Sequence, residues 1–556
     1  MNPRRLTLIL VFLASLFSVL LGRTFVIQIV LGADACYGAI SQRSSPFSLE
    51  PARGQILDRN LVPLTDPRTR QVLVLFPDSI KSGTDVSDAL AGVLDEVGRQ
   101  PVPELVLKAG ATGHPVTLEL SPGDADRARE RLSDTSLGLA VVPLTFRYGP
   151  RAVAKHVVGH VIEADNVGVA GLEKRFDSVR FGPGLKGRRP RSVAPVRDGV
   201  QDVITGLGYR ELAATARSSV VLTIDVRVQR AVEQALQQHG VEKGAVVVLD
   251  IRTGEVLAMA SRPEFDQNNV AASIDDPRAP LINRAVEAFY PGSVFKVAVA
   301  CAALESGAAD PSALTVCPGY LDVGGGEPVR CTHHTNGPEI VTLQDAMAYS
   351  CNPVFVELAE RAGAQSVMEH ARRLGLGVKW PELLEGAAGY VSQPTSLRAL
   401  ANLAIGQEYV KVTPLQMTQA VAAVASGGVM RPAYLVKELV DQNGKTVKSF
   451  EPPRSSRIVS VSTAQAVTRW LEACVKYGTG QAAAVAQGAG GKTGTPENAG
   501  STLVHEVWDA WFVGFAPAGK PRYAVGVFIE EGMSGPNRSA PLFAQVAQAI
   551  LELENR

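Results

Sequence analysis

The chain has 556 residues, 46% hydrophobic and 20% charged, with 55 basic and 55 acidic residues and no formal net charge. That length accommodates two to four domains. The charge balance, with no basic stripe interleaved with aromatics, excludes a nucleic-acid-binding class. Six cysteines are too few for a disulfide-built scaffold.

The first predicted element is a membrane segment. Leu6 to Leu21 is apolar apart from Thr7, Ser15 and Ser18, and Phe25 to Leu31 continues it apart from Gln28. Arg23 lies between them, near enough to the end to snorkel. Residues 6–31 are therefore expected to be an uncleaved single-pass anchor, with 1–5 as a cytoplasmic tail. Arg4 and Arg5 ahead of it put the bulk of the chain on the outer side, extracellular or periplasmic. Ala33-Asp34-Ala35 has the look of a cleavage site but lies too far beyond the apolar run. Ala33 also stands where a lipobox ahead of Cys36 would have Leu.

Residues 36–215 are loop-rich and moderately polar. Arg53 to Asn60, then the alternation Gln71-Val72-Leu73-Val74-Leu75, read as short strands with a turn between them. Asp124 to Leu132 reads as a charged helix. His156 and His160 share one strand-like run and are given a structural role rather than a metal. Gly168 to Glu173 follows, and the basic, proline-containing stretch Lys186 to Arg197 reads as an exposed loop. A boundary is expected near Thr215 to Ser219.

Beyond it the pattern changes. Val220 to Ile224 reads as a strand and Val226 to Gln238 as a helix. Gly244 to Asp250 and Glu255 to Ala260, joined through Arg252-Thr253-Gly254, form a hairpin pattern. Short helical patterns fill Leu343 to Gly428. Trp508 to Gly514 and Tyr523 to Ile529 read as two late strands, and a last helix runs from about Pro541 to Leu553. Strands at both ends with helices between them point to an α+β domain over 220–556.

The chemistry centres on Pro291-Gly292-Ser293-Val294-Phe295-Lys296, which leads into the small apolar run Val297 to Leu304. Pro291 and Gly292 mark a turn, so Ser293 is expected at a helix start with Lys296 one turn on. A serine hydroxyl needs a base to become a nucleophile. A lysine can serve once burial lowers its pKa. Ser350-Cys351-Asn352 and then Lys492-Thr493-Gly494-Thr495 follow in order. Any one of these is common; three in this order are specific.

With those motifs the chain resembles the class B, monofunctional penicillin-binding proteins, membrane-anchored peptidoglycan D,D-transpeptidases. Arg53 to Asn60 and Gly168 to Glu173 look like their pedestal motifs. Ala404 to Gln407, Val412 to Gln416 and Trp511 to Pro517 look like their transpeptidase landmarks. The resemblance implies a loop-rich, mainly-β or mixed pedestal (dimerisation) domain over 36–215. It also implies a transpeptidase domain built on a five-stranded antiparallel sheet flanked by helices, with an all-helical region. Ser293 is implied to attack between two terminal D-alanines and form an acyl-enzyme that β-lactams also form, with Lys296 as base. Ser350 is implied to relay the proton, and Asn352 to hold Lys296 and the substrate amide. Lys492, Thr493, Gly494 and Thr495 are implied to bind the terminal carboxylate and the peptide. The resemblance further implies stem peptides as substrates and a membrane glycosyltransferase partner of the SEDS type. No cofactor is implied. The chain departs from the family at Leu61 and Glu408, where Gly is usual, and at Pro496, where Ala is usual.

Rival functions weaken on the residues: a β-lactamase or β-lactam sensor, a bifunctional synthase, and a non-enzymatic scaffold. A class A β-lactamase needs a Glu-x-x-Leu-Asn element, and none lies between Ser350 and Lys492. A β-lactam sensor would carry several spans. A bifunctional synthase would need a Glu-Asp dyad, which 36–215 lacks. A non-enzymatic scaffold would not need the full motif set. The cysteines stay open: Cys317 and Cys331 can pair, or remain thiols, and with His333 and His334 a zinc site is conceivable, although the spacing matches no standard zinc pattern. No metal ligands are assigned on the sequence.

Overall fold

The computed structural model describes residues 3–32, 47–49, 53–77, 115–132, 138–162, 167–177, 191–195, 209–212, 218–335, 337–379, 386–498 and 507–554, with isolated positions such as Leu90 and Leu185. Cys36, Thr215 and most of Lys186 to Arg197 lie outside the described residues, as does most of the candidate cleavage site at Ala33.

The N-terminal segment is helical. Helix α1 (Pro3–Phe25) continues as a π-helical turn over Val26–Val30, and Thr7 to Val30 is long and apolar enough to cross a membrane. Its hydroxyls are satisfied internally: Ser15 Oγ donates to Val11 O and Ser18 Oγ to Ala14 O, both at 2.9 Å. Intrahelical partners suit a segment with no water around it.

Contacts divide the chain into two compact units, the first comprising Met1–Gly54, Pro67–Gly149 and Lys186–Arg217. Its centre is an antiparallel sheet in which β1 (Arg68–Leu75) lies between β2 (Val116–Glu119) and, after helix α2 (Pro122–Leu132), β3 (Leu139–Phe146). The alternation along β1 serves two cores. Leu73 and Leu75 pack with Ala125 and Ala128 of α2, while Val72 and Val74 face Leu49, Phe76 and Val193. A strand covered on both faces buries every residue of its apolar run.

The second unit comprises Gln55–Asp66, Pro150–Leu185 and Ser218–Arg556. It thus takes in two stretches that precede the expected boundary. Asp58 shows why. Its buried carboxylate accepts from Asn60 N, Val62 N and Val226 N at 2.7, 2.9 and 3.1 Å, so it closes its own turn and also satisfies a donor at the start of helix α3 (Val226–Gln238). Free N–H groups at a helix start call for such an acceptor.

The core of this unit is a five-stranded antiparallel sheet. Strands β4 (Gly244–Asp250) and β5 (Val256–Arg262) form the expected hairpin. Helix α4 (Lys296–Glu305) follows, then α5 (Leu343–Ala348), α6 (Asn352–Ala362), α7 (Pro414–Ala425) and α8 (Val461–Lys476). The late strands are β6 (Gly490–Gly494), β7 (Ala510–Ala516) and β8 (Tyr523–Ile529), and α9 (Ala540–Glu554) ends the chain. The strand order is β5-β4-β8-β7-β6, so β6 lies at an edge. Apolar faces of α3 and α9 (Val232, Leu236, Phe543, Val546) pack on Val246, Phe512 and Val527. Helix α7 packs on β8, β4 and β7, where Thr418 leaves room only for glycine at Gly526. Helices on both faces explain why β4, β7 and β8 are buried along their whole length.

One local reading changes. His156 and His160 do not share a strand: Lys155–Val158 is a short helix and Val161–Ile162 a short strand, separated by Gly159 at φ +81°. Val157 and Val158 are adjacent and both buried, a pattern that apolar content alone cannot assign to helix or strand. His156 Nε2 sits 2.7 Å from Pro280 O, and both rings meet the edge or face of Phe265. Burial holds His156 down to about 4, so it stays neutral in a packing role.

Candidate active site

Ser293 lies in a 3₁₀ turn, Gly292–Phe295, and Lys296 is the first residue of α4. The helical start is therefore tighter than an α-turn. Residues three apart eclipse in a 3₁₀ turn, which puts Lys296 on the Ser293 side. The turn is locked from two directions. Phe289 and Val412 exchange backbone hydrogen bonds at 2.9 Å, and Gly292 N donates to Gly406 O at 2.9 Å. Gly406 has φ +81°, and a Cβ there would sit 2.0 Å from Gly292 O, so no other residue fits. Thr413 and Gln416 form a capping box that begins α7. The landmarks Ala404 to Gln407 and Val412 to Gln416 are thus supports for the turn.

Lys296 is wholly buried, and its Nζ donates to Asn352 Oδ1 at 2.6 Å, Ser350 O at 2.8 Å and Ser350 Oγ at 3.1 Å. The Phe355 ring closes one side, 5.5 Å away. Burial, reinforced by the positive charge of Lys492, holds the Lys296 ammonium well below its ordinary 10.5. Among the described residues Ser293 Oγ has no hydrogen-bond partner, so the lysine is held by the second motif.

Ser350 follows α5 with φ +60°, in the left-handed region that favours glycine. Its N–H donates to Met347 O and that of Cys351 to Ala346 O, closing the helix end. Asn352 begins α6, and its Nδ2 donates to Arg330 O at 3.2 Å.

Lys492 and Thr493 are buried on β6, behind the cleft. Lys492 Nζ donates to Thr493 O at 3.1 Å and lies 3.4 Å from Thr493 Oγ1, which also meets Thr479 Oγ1 at 2.7 Å. Burial lowers Lys492 to about 8. Gly494 backs onto the serine turn: a Cβ there would be 2.7 Å from Pro291 O. Thr495 is exposed, and its Oγ1 accepts from Gly535 N at 3.2 Å.

A cleft of about 440 Å³ opens here, with Ser293, Asn352 and Thr495 in its wall. Tyr290, Asn402, Glu408, Asn498 and Trp508 also line it; Asn402 and Asn498 belong to no motif, and Glu408 stood out in the sequence only as a departure from the family. Glu408 has φ +44° and accepts from Asn402 Nδ2 at 2.9 Å, and Leu61 has φ +64°. Both stand where the family usually has Gly, and the left-handed backbone is the physical reason for that preference. Pro496, the third departure, follows β6 and accepts from Asp509 N at 3.0 Å.

Residues 244–551 match the penicillin binding protein transpeptidase domain, and residues 48–182 the penicillin-binding protein dimerisation domain. The peptidoglycan D,D-transpeptidase PbpA of Mycolicibacterium smegmatis is 33% identical over 69% of this chain and 80% of that one. The aztreonam complex of penicillin binding protein 3 from Mycobacterium tuberculosis is similar with a TM-score of 0.64 at 27% identity, over 92% of this chain and 97% of that one. A chain from a peptidoglycan synthase complex that coordinates polymerization and crosslinking has a TM-score of 0.72 at 26% identity, over 98% of each chain. With both domain matches in chain order and relatives along most of its length, the chain belongs to the class B penicillin-binding proteins, the family of serine-type peptidoglycan D,D-transpeptidases.

Proposed function

We propose that the chain cross-links peptidoglycan through an acyl-enzyme on Ser293. The observation that carries the reading is the buried Lys296, its ammonium form disfavoured, held between Ser350 and Asn352 one turn from Ser293 in an open cleft. Neutral Lys296 takes the Ser293 proton as Oγ attacks the carbonyl between two terminal D-alanines. The N–H groups of Ser293 and Thr495 stabilise the oxyanion. The carbonyl–nitrogen bond breaks, and the proton passes through Ser350 to the departing D-alanine amine. An acceptor amine then attacks the ester and releases Ser293. Asn352 positions Lys296 and the substrate amide. Thr495 supplies a hydroxyl donor for the terminal carboxylate from the cleft wall, while Thr493 and the charge of Lys492 act from behind it. The stem peptide adds as a strand along β6, the sheet edge beside Ser293.

β-Lactams acylate the same serine in this reading. The aztreonam complex of the mycobacterial relative supports that step, and the likeness to a chain of a peptidoglycan synthase complex supports a SEDS-type glycosyltransferase partner in the membrane. Arg4 and Arg5 support a cytoplasmic N-terminus, with the catalytic unit outside.

Fluorescent penicillin tests the assignment. Wild type gives a labelled band on a denaturing gel, and Ser293→Ala gives none; an equal band in the variant refutes it. A chromogenic cephalosporin separates transpeptidase from β-lactamase. A burst near one equivalent followed by a nearly flat line fits an ester with no dedicated water activator. Turnover of several per second would require an activated water and moves the reading to β-lactamase.

A further inference from the structure

Cys317, Cys331, His334 and Cys351 are all buried, and their four ligand atoms lie within 4.8 Å of one another. Cys317 ends the strand Leu314–Cys317 and Cys331 follows the strand Val329–Arg330. His334 lies in the turn beyond it, and Cys351 caps α6. All the cysteines described are free thiols. On one tetrahedral zinc, two thiolate sulfurs lie roughly 3.8 Å apart and a sulfur and an imidazole nitrogen roughly 3.5 Å. Cys331 Sγ is 3.6 Å from His334 Nδ1, and Cys351 Sγ is 3.2 Å from Cys317 Sγ. The sulfur–nitrogen pair thus already stands at metal spacing, the sulfur pair is closer than a bound zinc would hold it, and the remaining separations are within 4.8 Å.

A second observation fixes the histidine. His334 Nε2 faces outward to Glu339 Oε2 at 3.4 Å, which leaves Nδ1 as the atom turned toward the sulfurs. A carboxylate behind a histidine, setting the tautomer that ligates, is the usual outer partner of a zinc-bound imidazole. Glu339 is brought there by pairing opposite Cys317 in the strand register. The backbone N–H of His334 also donates to Cys331 Sγ at 3.3 Å, which holds the histidine against the sulfur. His333, the neighbouring candidate, is committed elsewhere, stacked on Tyr349 at 3.8 Å.

We propose that these three cysteines and His334 bind one zinc ion, and that the ion sets the Ser350-Cys351-Asn352 loop against Lys296. Three thiolates and one imidazole select a soft, tetrahedral divalent metal over magnesium or calcium. Four protein ligands close the coordination sphere, so the ion is structural. Binding releases the thiol protons and ties together four points spread over residues 317–351. The site reaches the catalytic motif by two routes. Cys351 stands between Ser350 and Asn352. Asn352 Nδ2 is held by the carbonyl of Arg330, the residue before Cys331. The metal thus holds both sides of the loop whose Asn352 Oδ1 and Ser350 Oγ contact Lys296 Nζ.

The full chain, purified in detergent with a reductant, tests this by elemental analysis. About one zinc per chain is expected. Replacement by cobalt should give thiolate-to-cobalt charge-transfer absorption in the near ultraviolet. Cys331→Ser and His334→Ala should each lose most of the metal, while Cys474→Ser keeps it. Because a ligand variant can fail to fold, wild type is also stripped with a chelator. Penicillin acylation should fall tenfold or more and return when zinc is added back. The metal count is independent of the reading of Ser293: a zinc-loaded chain that penicillin fails to label sinks that reading and leaves this one standing. No metal in the wild type, a cobalt form without charge-transfer bands, unchanged metal in Cys331→Ser, or a Cys317–Cys351 disulfide in protein taken from its native membrane would each overturn the proposal.

Discussion

Lys296 Nζ lies 2.6 Å from Asn352 Oδ1, across 56 positions of sequence. This contact joins the first motif to the second and fixes the lysine without using the Ser293 hydroxyl. A neutral amine can donate to Asn352 Oδ1 while its lone pair remains free for the serine proton. An arginine in its place would stay charged and planar. Lys296→Arg is therefore expected to lower the penicillin acylation rate by about 10²-fold or more, the scale of a lost general base. Stopped-flow acylation measures it, and a rate near wild type would put the base elsewhere.

Ser350 separates hydroxyl from backbone. Its φ of +60° costs a non-glycine residue roughly 1 kcal/mol or more. Ser350→Gly removes that strain and the hydroxyl together. The variant should melt no lower than wild type, yet acylate about 10²-fold more slowly, the scale of a lost proton-transfer group. A drop in melting temperature with unchanged acylation would mean the residue serves the fold alone.

Lys492 gives a pH signature. Only its protonated form attracts a carboxylate, and burial brings it down to about 8. On the proposed role, recognition should therefore be full below that pH and be lost as pH rises through it. For a ligand with a free carboxylate, the second-order acylation constant should fall above about pH 8; for its ester the fall should be much smaller. The same charge helps to lower Lys296. In Lys492→Met the acid limb for the ester should move to higher pH, because Lys296 regains its proton more easily. An acid limb that stays in place would uncouple the two lysines.

Gly406 tests the support beneath the serine turn. A Cβ placed 2.0 Å from Gly292 O must displace one backbone or the other. Gly406→Ala should lose about 1–3 kcal/mol of stability, the cost of a forced backbone shift with a side chain in the left-handed region. Acylation should fall as well, since Gly292 adjoins Ser293. Thermal melting and acylation together read it, and a variant matching wild type in both would show that the turn is held by other contacts.

The sequence by itself determined the parts whose signal is local. Val226 to Gln238 and Tyr523 to Ile529 are readable to the residue, because Asp225 caps the helix and an unbroken apolar run fills the strand. Ser293 with Lys296, Ser350 with Asn352, and Lys492 to Thr495 are legible as motifs because each is contiguous or one turn apart. What only the tertiary structure decided is every relationship that chain closure creates. Cys317 and Cys331 stood out in the sequence beside His333 and His334, but Cys351 did not join them. It lies 34 positions from Cys317 and reads as the middle of a catalytic triplet, and no periodicity reports that the two sulfurs are 3.2 Å apart. The pull of Asp58 on the start of α3 spans 168 positions, so a stretch written early in the chain packs with the second unit. Lys492 sits behind Thr493 instead of in the cleft wall, since β6 turns it into the protein. Composition and spacing report what a residue can do; burial and the partners brought from afar set its charge, its reach and its backbone strain.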